Sequence, residues 1–190
     1  MTRKCPEPAM ATRQSQTRRR ICTAFTRCTF AKGFENVSIA QVVAEAGVAR
    51  STFYEHFADK EDVLRACLAR IFKPIAASGF IDIDAEELNR ALSHLWLNKR
   101  LADGIFTGRA GTILHRMQVD LVEACYRRKT DSASSQARPV AIGIAGFQIS
   151  YVEAWLRGRF PATPDIFAKS LAHGSRALAH GLPPPSDQSN

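Results

Sequence analysis

The most constraining feature of the sequence is the stretch at residues 37–57, which reads VSIAQVVAEAGVARSTFYEHF. From Ile39 onward, apolar residues recur at i, i+3, i+4 and i+7, the spacing of one face of a helix. Ser38 stands before that run as a candidate N-cap. Gly47 stands after it, where helices often end in a left-handed conformation. A second short helix fits residues 50–57, so the stretch predicts a helix-turn-helix.

The second of these helices divides into an inner and an outer face. Phe53 and Phe57 lie four residues apart and are expected to pack inward together with Val48. A recognition helix needs such anchors, and it needs an outward face of hydrogen-bonding side chains that fits the major groove of DNA. The outward face here contains Arg50, Ser51, Thr52, Tyr54, Glu55 and His56.

Residues 18–67 resemble the DNA-binding domain of the TetR repressor family. The matching signature at residues 32–64 is KGFENVSIAQVVAEAGVARSTFYEHFADKEDVL. The resemblance implies an all-α, dimeric protein with an N-terminal three-helix head and a variable C-terminal domain that usually binds a small-molecule inducer. The positions that carry it are Gly33-Phe34, Gly47-Val48, Thr52-Phe53-Tyr54, His56-Phe57 and Lys60-Glu61.

Two positions depart from the family pattern. Ala49 stands where the family usually has serine or another capping residue, so the recognition helix is expected to start less firmly, by about 1 kcal/mol. Thr29 stands where a large apolar residue is common, which predicts altered packing of the first helix.

The candidate DNA contacts differ in their expected roles. Arg50 and Ser51 sit early on the recognition helix and are expected to read bases, with Arg50 able to reach guanine O6 and N7. The resemblance implies phosphate contacts for Thr52, Tyr54, His56 and Lys60. For Lys60 the alternative is an ordinary surface lysine. The full set is Ser38, Arg50, Ser51, Thr52, Tyr54, His56, Lys60, Arg18 and Arg19.

Charge and composition agree with a nucleic-acid partner. The net charge is +8 and the pI about 9.6, and basic residues cluster before the first core position of the first helix. Residues 1–16 are polar and are expected to form a flexible arm, either a plain solvated tail or a basic extension that touches DNA.

Other classes of protein find little support. The five cysteines are scattered without CxxC spacing, so neither a zinc site nor a disulfide framework is expected, and no cofactor is implied. Reduced thiols, a polar N-terminus and the lack of a long apolar run favour a cytoplasmic protein without a membrane partner. The chain has no GxSxG, HExxH or GxxxxGK[ST] and is not expected to be an enzyme, although a Cys/His pair meeting in space stays open.

The remaining chain predicts a helical regulatory and dimerisation domain at residues 58–181, after a DNA-binding domain at 17–57 and before a disordered tail at 182–190. Its last two helices resemble the family's dimerisation pair, so a homodimer is expected on a pseudo-palindromic operator. No motif marks a ligand site. Inward aromatic and aliphatic residues would suit an apolar or aromatic inducer, although each is more often plain core. These candidates are His94, Trp96, Phe106, His115, Met117, Phe147, Tyr151 and Trp155.

The favoured function is therefore a repressor that a small-molecule inducer releases from its operator. The alternative is a DNA-binding activator or architectural protein that responds to no inducer.

Overall fold

The computed structural model describes residues 8–80, 85–99, 103–130 and 137–181. Over these residues the chain is all-helical, with no strand, as the sequence predicts. The helices are α1 (Pro8–Lys32), α2 (Ile39–Ala46), α3 (Arg50–His56), α4 (Lys60–Ala77), α5 (Ala85–Leu97), α6 (Gly108–Thr130), α7 (Ala137–Leu156) and α8 (Pro164–Gly181), with a 3₁₀ turn at Asp103–Ile105 before α6. None of the described helices is long and apolar enough to span a membrane.

The chain divides into two compact units, Met1–Cys67 and Leu68–Asn190. The DNA-binding domain expected from the sequence ends at residue 57, ten residues before this division. The first turns of α4 belong to the first unit because Lys60 contacts the loop before α2 and the Cys67 thiol lies 3.8 Å from the Cys22 carbonyl oxygen. The boundary therefore falls within α4 rather than before it.

Helix α1 is longer than predicted. Residues 8–16, expected to belong to a flexible arm, continue the helix from Pro8, and only residues 1–7 of the arm lie outside the described residues. The segment lacks apolar periodicity, but proline is tolerated in the first turn and its Ala, Met, Arg and Gln residues are good helix formers. Once a helix is nucleated by packing, each added residue gains one backbone hydrogen bond.

The core of the first unit is built from the buried faces of α1 and of the two short helices that follow it. Ile21, Ala24 and Phe25 of α1 are buried, and Phe25 meets the buried ring of Phe34 edge-on at 6.2 Å between ring centroids. The same core takes in the buried residues Val42, Ala46, Phe53 and Phe57. These side chains set the positions of the two short helices that follow α1.

Thr29 of α1, the departure from the family pattern, has a buried hydroxyl with no partner among the described residues. The hydroxyl of Thr26, one turn earlier, donates to the Cys22 carbonyl at 2.8 Å. We expect Thr29→Val to raise the stability of the first unit by about 1 kcal/mol, because it removes a buried polar group that gains no hydrogen bond. Hydrogen exchange of the backbone amides in α1, compared between the parent protein and the variant, measures this change in stability. The matched variant Thr26→Val, which loses a real hydrogen bond, is expected to give no gain. Equal effects of the two variants would contradict this account of Thr29.

The second unit places α7 at its centre, and nine residues of this helix are buried. Helix α6 begins at Gly108 and ends at Thr130, and Arg138 lies in the first turn of α7. The close approach of α7 and α8 depends on Gly174, where an added Cβ would lie 2.5 Å from the Phe147 ring. The tail at residues 182–190, expected to be disordered, lies outside the described residues.

Candidate functional site

The turn between α2 and α3 has the geometry that the sequence predicts. The Ser38 hydroxyl accepts a hydrogen bond from the Gln41 backbone N–H at 3.3 Å, and the Ser38 N–H donates to the Gln41 side chain at 3.1 Å. This reciprocal pair forms a capping box at the start of α2. Gly47 ends α2 at φ 60° and ψ 42°, a left-handed conformation that glycine adopts without steric cost.

Helix α3 separates an anchored face from an exposed one. Phe53 and Phe57 are buried with their ring centroids 6.0 Å apart, whereas Tyr54 is 47% exposed. The backbone at Ala49 starts the helix without a side-chain cap, as the departure from the family pattern predicted. Among the candidate DNA contacts on α3, Arg50, Ser51 and Tyr54 are exposed and Thr52 and His56 are half-buried.

Two of the exposed side chains on α3 are already in contact. The Arg50 guanidinium donates to the Tyr54 phenol oxygen at 3.3 Å and lies 5.7 Å from the centre of its ring. The Tyr54 ring is in turn held edge-on against Phe53 at 5.4 Å between centroids. Because the phenol oxygen accepts from Arg50, its own O–H remains able to donate to a phosphate. The pair can therefore hold a phosphate and present a guanidinium from one face of the helix.

The arginines of α1 hold the short helices in place. Arg18 donates to the His56 carbonyl at 2.8 Å and stacks over the Phe57 ring at 4.1 Å, so it satisfies the C-terminus of α3. Arg20 donates to the carbonyls of Ala46 and Gly47 at the end of α2, at 2.8 and 3.2 Å. A cation at a helix C-terminus also complements the helix dipole. Sequence reasoning assigned Arg18 to DNA and gave no role to Arg20, because these contacts join residues far apart in the chain. Arg19 remains exposed.

Lys60, like these arginines, donates hydrogen bonds to backbone carbonyls of the first unit. Its ammonium donates to the carbonyls of Phe34, Glu35 and Val37 at 3.0, 3.1 and 3.2 Å and lies 4.7 Å from the Phe34 ring centre. A lysine ammonium has three N–H donors, and all three are used here. The geometry therefore favours an intramolecular role for Lys60 over the phosphate contact that the resemblance implied.

In the second unit, the structure brings together four of the eight candidate ligand residues. Trp96 stacks on Trp155 at 4.8 Å between ring centroids, and Trp155 stacks on Phe167 at 4.2 Å. Tyr151 joins the cluster through Phe167 at 5.0 Å and stacks on Phe147 at 5.2 Å. Trp155 is fully buried, and its indole N–H donates to the Ala162 carbonyl at 2.9 Å. The rings therefore pack on one another as core.

The other four candidates are not part of this cluster. His94 and His115 are exposed, Met117 is buried, and Phe106 is half-buried before the start of α6. The eight residues selected from the sequence thus do not form one cluster of contacting side chains, because helical periodicity alone does not determine which inner face meets which neighbour.

A network of hydrogen-bonded, buried polar side chains links helices of the second unit. It was not predicted from the sequence. The fully buried Gln148 donates to the Ile75 carbonyl at 2.7 Å and to the Ser175 hydroxyl at 3.1 Å. Gln118 donates to the Gln148 side-chain oxygen at 2.7 Å. The Ile75 carbonyl can only accept, so it fixes the orientation of the Gln148 amide, which in turn fixes that of Gln118. This leaves the Gln118 side-chain oxygen buried without a partner among the described residues.

An open groove of about 540 Å³ lies between α5 and α8. It contains none of the eight residues selected from the sequence. Its lining consists of Ser78, Ala85, Glu86, Leu88, Asn89, Asp165, Ala168, Lys169, Ala172, His173 and Arg176.

Comparison with known proteins agrees with the first unit's geometry. Residues 23–67 match the family model described as bacterial regulatory proteins, tetR family. The HTH-type transcriptional repressor AcnR of Corynebacterium diphtheriae is 28% identical over 94 residues, which are 47% of this chain and 50% of that protein. An uncharacterized HTH-type transcriptional regulator of Haemophilus influenzae is 37% identical over 54 residues, 28% of this chain and 26% of that protein. The aligned region thus spans half or less of these relatives' length.

Two solved structures share the fold over most of the chain. A TetR-family transcriptional regulator from Syntrophomonas wolfei aligns with a TM-score of 0.59 and 22% identity, over 89% of this chain and 97% of that one. A TetR-family regulator from Streptomyces coelicolor A3 aligns with a TM-score of 0.59 and 17% identity, over 94% and 99%. At these identities the likeness shows the fold alone. The family match covers residues 23–67, which are similar to the tetR family of bacterial regulatory proteins.

Proposed function

We propose that this protein is a cytoplasmic, homodimeric transcriptional repressor that binds a pseudo-palindromic operator and is released from it by a small molecule. The observation that carries the proposal is the outer face of α3, where Arg50, Ser51 and Tyr54 are exposed on a helix held by buried phenylalanines. Such a face fits the major groove, and a dimer would place two of them about 34 Å apart, one turn of DNA.

Release follows from a difference in ligand affinity between two conformations. A ligand that binds more tightly to a conformation whose recognition helices mismatch the half-sites lowers operator affinity by that difference. The repressor function of a matched relative, AcnR, supports repression over activation.

Selection of the purified protein on random DNA duplexes at fixed physiological salt tests the proposal. Fixed salt is needed because phosphate contacts make apparent affinity fall steeply as salt rises. We expect enrichment of one pseudo-palindrome with half-sites one helical turn apart. Binding that enriches no sequence and disappears at moderate salt would refute a specific operator. Enrichment without any ligand response would instead favour a regulator that has no inducer.

Removal of the Arg50 side chain is expected to relax specificity. Arg50→Ala should cost about 1–3 kcal/mol on the selected duplex and much less on duplexes with the contacted guanine replaced, because a bidentate guanine contact is lost. Titrations on the two duplexes measure the difference. Arg116→Ala, at an exposed arginine of the second unit, is the matched control. Equal weakening on every duplex would make Arg50 a phosphate contact.

The proposed dimer uses α7 and α8, as the resemblance implied. Ile142 of α7 is 49% exposed and Ile166 of α8 is 57% exposed, and an added Cβ at Gly146 would meet nothing within 4 Å. Exposed apolar side chains and open space on one helix pair suit a second helix pair. The family resemblance also implies dimerisation through the last two helices, which supports a dimer contact on this surface.

Charge introduced on this surface is expected to shift the protein toward monomer. Ile142→Arg should raise the dimer dissociation constant at least about tenfold, because an unpaired charge is desolvated at the contact. Sedimentation velocity over a concentration series measures the shift. Leu97→Arg, at an 82% exposed leucine of α5, is the control and should leave the dimer intact. If both variants behave like the parent protein, this face is not the dimer contact.

A further inference from the structure

The space between helices α5 and α8 is filled by side chains at one place and open at another. Where the end of α5 approaches the start of α8, Trp96, Trp155 and Phe167 stack face to face and leave no space between them. Elsewhere along the same pair, the facing residues of α8 are Ala168 and Ala172, and the groove of about 540 Å³ opens there. A volume in this range is typical of sites for small organic molecules, which span about 300–1,000 Å³.

The groove presents a single stripe of α8. Its lining residues on that helix follow the spacing i, i+3, i+4, i+7, i+8 and i+11 from Asp165 to Arg176, which places them all on one face. The alanines form a small apolar floor together with Leu88 of α5, which is buried. Ser78 is also buried and adds one hydroxyl to the wall. The groove thus combines an apolar floor with a polar rim.

Nitrogen-bearing side chains dominate the α8 part of the rim. Lys169, His173 and Arg176 follow one another along the groove at successive turns of the helix. The one acidic residue of α8 in the groove, Asp165, is directed to the start of its own helix. Its carboxylate accepts from the Thr163 hydroxyl at 2.5 Å, and this bond, backbone N–H groups and the positive charge of Lys169 together keep the pKa of Asp165 below its ordinary value.

On the facing helix, Glu86 carries the acidic charge of the rim. It lies in the first turn of α5, where the helix dipole favours a carboxylate, and its oxygen is 3.9 Å from Arg90 one turn on. The groove is therefore lined by the apolar residues Ala168, Ala172 and Leu88 and, on α8, by the hydrogen-bond donors Lys169, His173 and Arg176.

We propose that this groove binds an amphipathic organic carboxylate, with its carboxylate between Lys169 and His173 and its apolar part on the alanine floor. This deepens the proposed ligand response, and rests on it for any effect on DNA. It also replaces the purely apolar or aromatic inducer expected from the sequence, because the aromatic residues that suggested such a ligand are packed against one another. A charge-assisted hydrogen bond to Lys169 fixes the orientation of the ligand, and burial of its chain or ring supplies much of the affinity.

The test uses four carboxylates, namely hexanoate, octanoate, benzoate and phenylacetate, each paired with its neutral primary amide. Binding to the full-length protein is measured by isothermal titration and by the emission of Trp96 and Trp155, the two tryptophans of the chain, both of which lie in the second unit. We expect at least one carboxylate to bind at least about tenfold more tightly than its amide, the effect of one charge-assisted contact.

Three variants locate the binding. Lys169→Gln should remove the preference for carboxylate over amide, and Ala172→Leu should abolish binding because its side chain fills the groove floor. Ala124→Leu, at an exposed alanine of α6, is the control for an added leucine and should bind like the parent. Thermal melting of each variant without ligand checks that the fold is retained.

Two results would overturn the proposal: none of the four carboxylates binds at up to about 10 mM, well above the range of typical ligand sites, or binding persists unchanged in Ala172→Leu. Operator binding without ligand is measured separately by titration. If a carboxylate binds in the groove and the operator complex does not respond to it, the site stands and the ligand-released repressor fails. If no operator is found but the groove binds a carboxylate, the ligand site stands and the proposed DNA function fails.

Discussion

Gln148→Leu is expected to lower the free energy of unfolding of the second unit by about 2–4 kcal/mol. The substitution keeps a similar volume but removes three hydrogen bonds, to Gln118, Ile75 and Ser175. The Gln118 amide would then be buried with neither its donor nor its acceptor paired, and each buried unpaired group costs about 1–3 kcal/mol. Urea unfolding monitored by tryptophan emission reports on this unit, because Trp96 and Trp155 both lie in it.

The partner substitution separates lost hydrogen bonds from lost packing. Gln118→Leu is expected to cost less than Gln148→Leu, because the oxygen of Gln118 already lacks a partner and only the Gln148 oxygen would lose one. The double variant should be more stable than Gln148→Leu alone, since two leucines leave no unpaired amide between α6 and α7. Additive losses in the double variant would contradict the network as the source of stability.

Lys60→Met is expected to destabilise the first unit by about 1.5–3 kcal/mol, the range for hydrogen bonds to a charged group. The substitution keeps the aliphatic stem but leaves the carbonyls of Phe34, Glu35 and Val37 without the ammonium. Hydrogen exchange in the loop at residues 33–38 is expected to accelerate. Operator affinity should fall on every sequence, because the loop leads directly into α2 and the capping box.

The salt dependence of DNA binding distinguishes the two roles of Lys60. If the lysine acts through the loop, the slope of log affinity against log salt stays the same as in the parent. If it contacts a phosphate, the slope decreases in magnitude by about 1, because one fewer counterion is released. Lys32→Met, at an exposed lysine of α1, controls for the loss of one positive charge from the same unit. Unchanged loop exchange together with a reduced slope would restore the phosphate contact.

The candidate DNA-binding face was predictable because its geometry is local. Ser38, Gly47 and the buried Phe53 and Phe57 act within a few residues of themselves, so capping and periodicity define both short helices. The same locality gives the outward direction of Arg50 and Tyr54. The contact between these two residues also follows from their spacing of four, which places side chains side by side on a helix.

The roles of the basic residues outside α3 were not predictable in the same way. Arg18, Arg20 and Lys60 all read as surface cations beside a DNA-binding motif, but each donates to backbone carbonyls more than twenty residues away. A charge pattern in the sequence predicts the sign of the surface charge. It does not predict which cationic side chains form hydrogen bonds within the protein. Those contacts depend on the angle at which α1 and α4 pack against the short helices.

The sequence by itself determined an all-helical chain with a helix-turn-helix near its start, because helix period, caps and the left-handed glycine are properties of neighbouring residues. Only the tertiary structure decided that Trp96, Trp155 and Phe167 close one part of the α5–α8 pair while Ala168 and Ala172 leave another open. It also decided that Gln148 would hydrogen-bond to three other helices. The physical reason is that packing joins residues far apart in the chain, and the shape of a cavity depends on which faces meet.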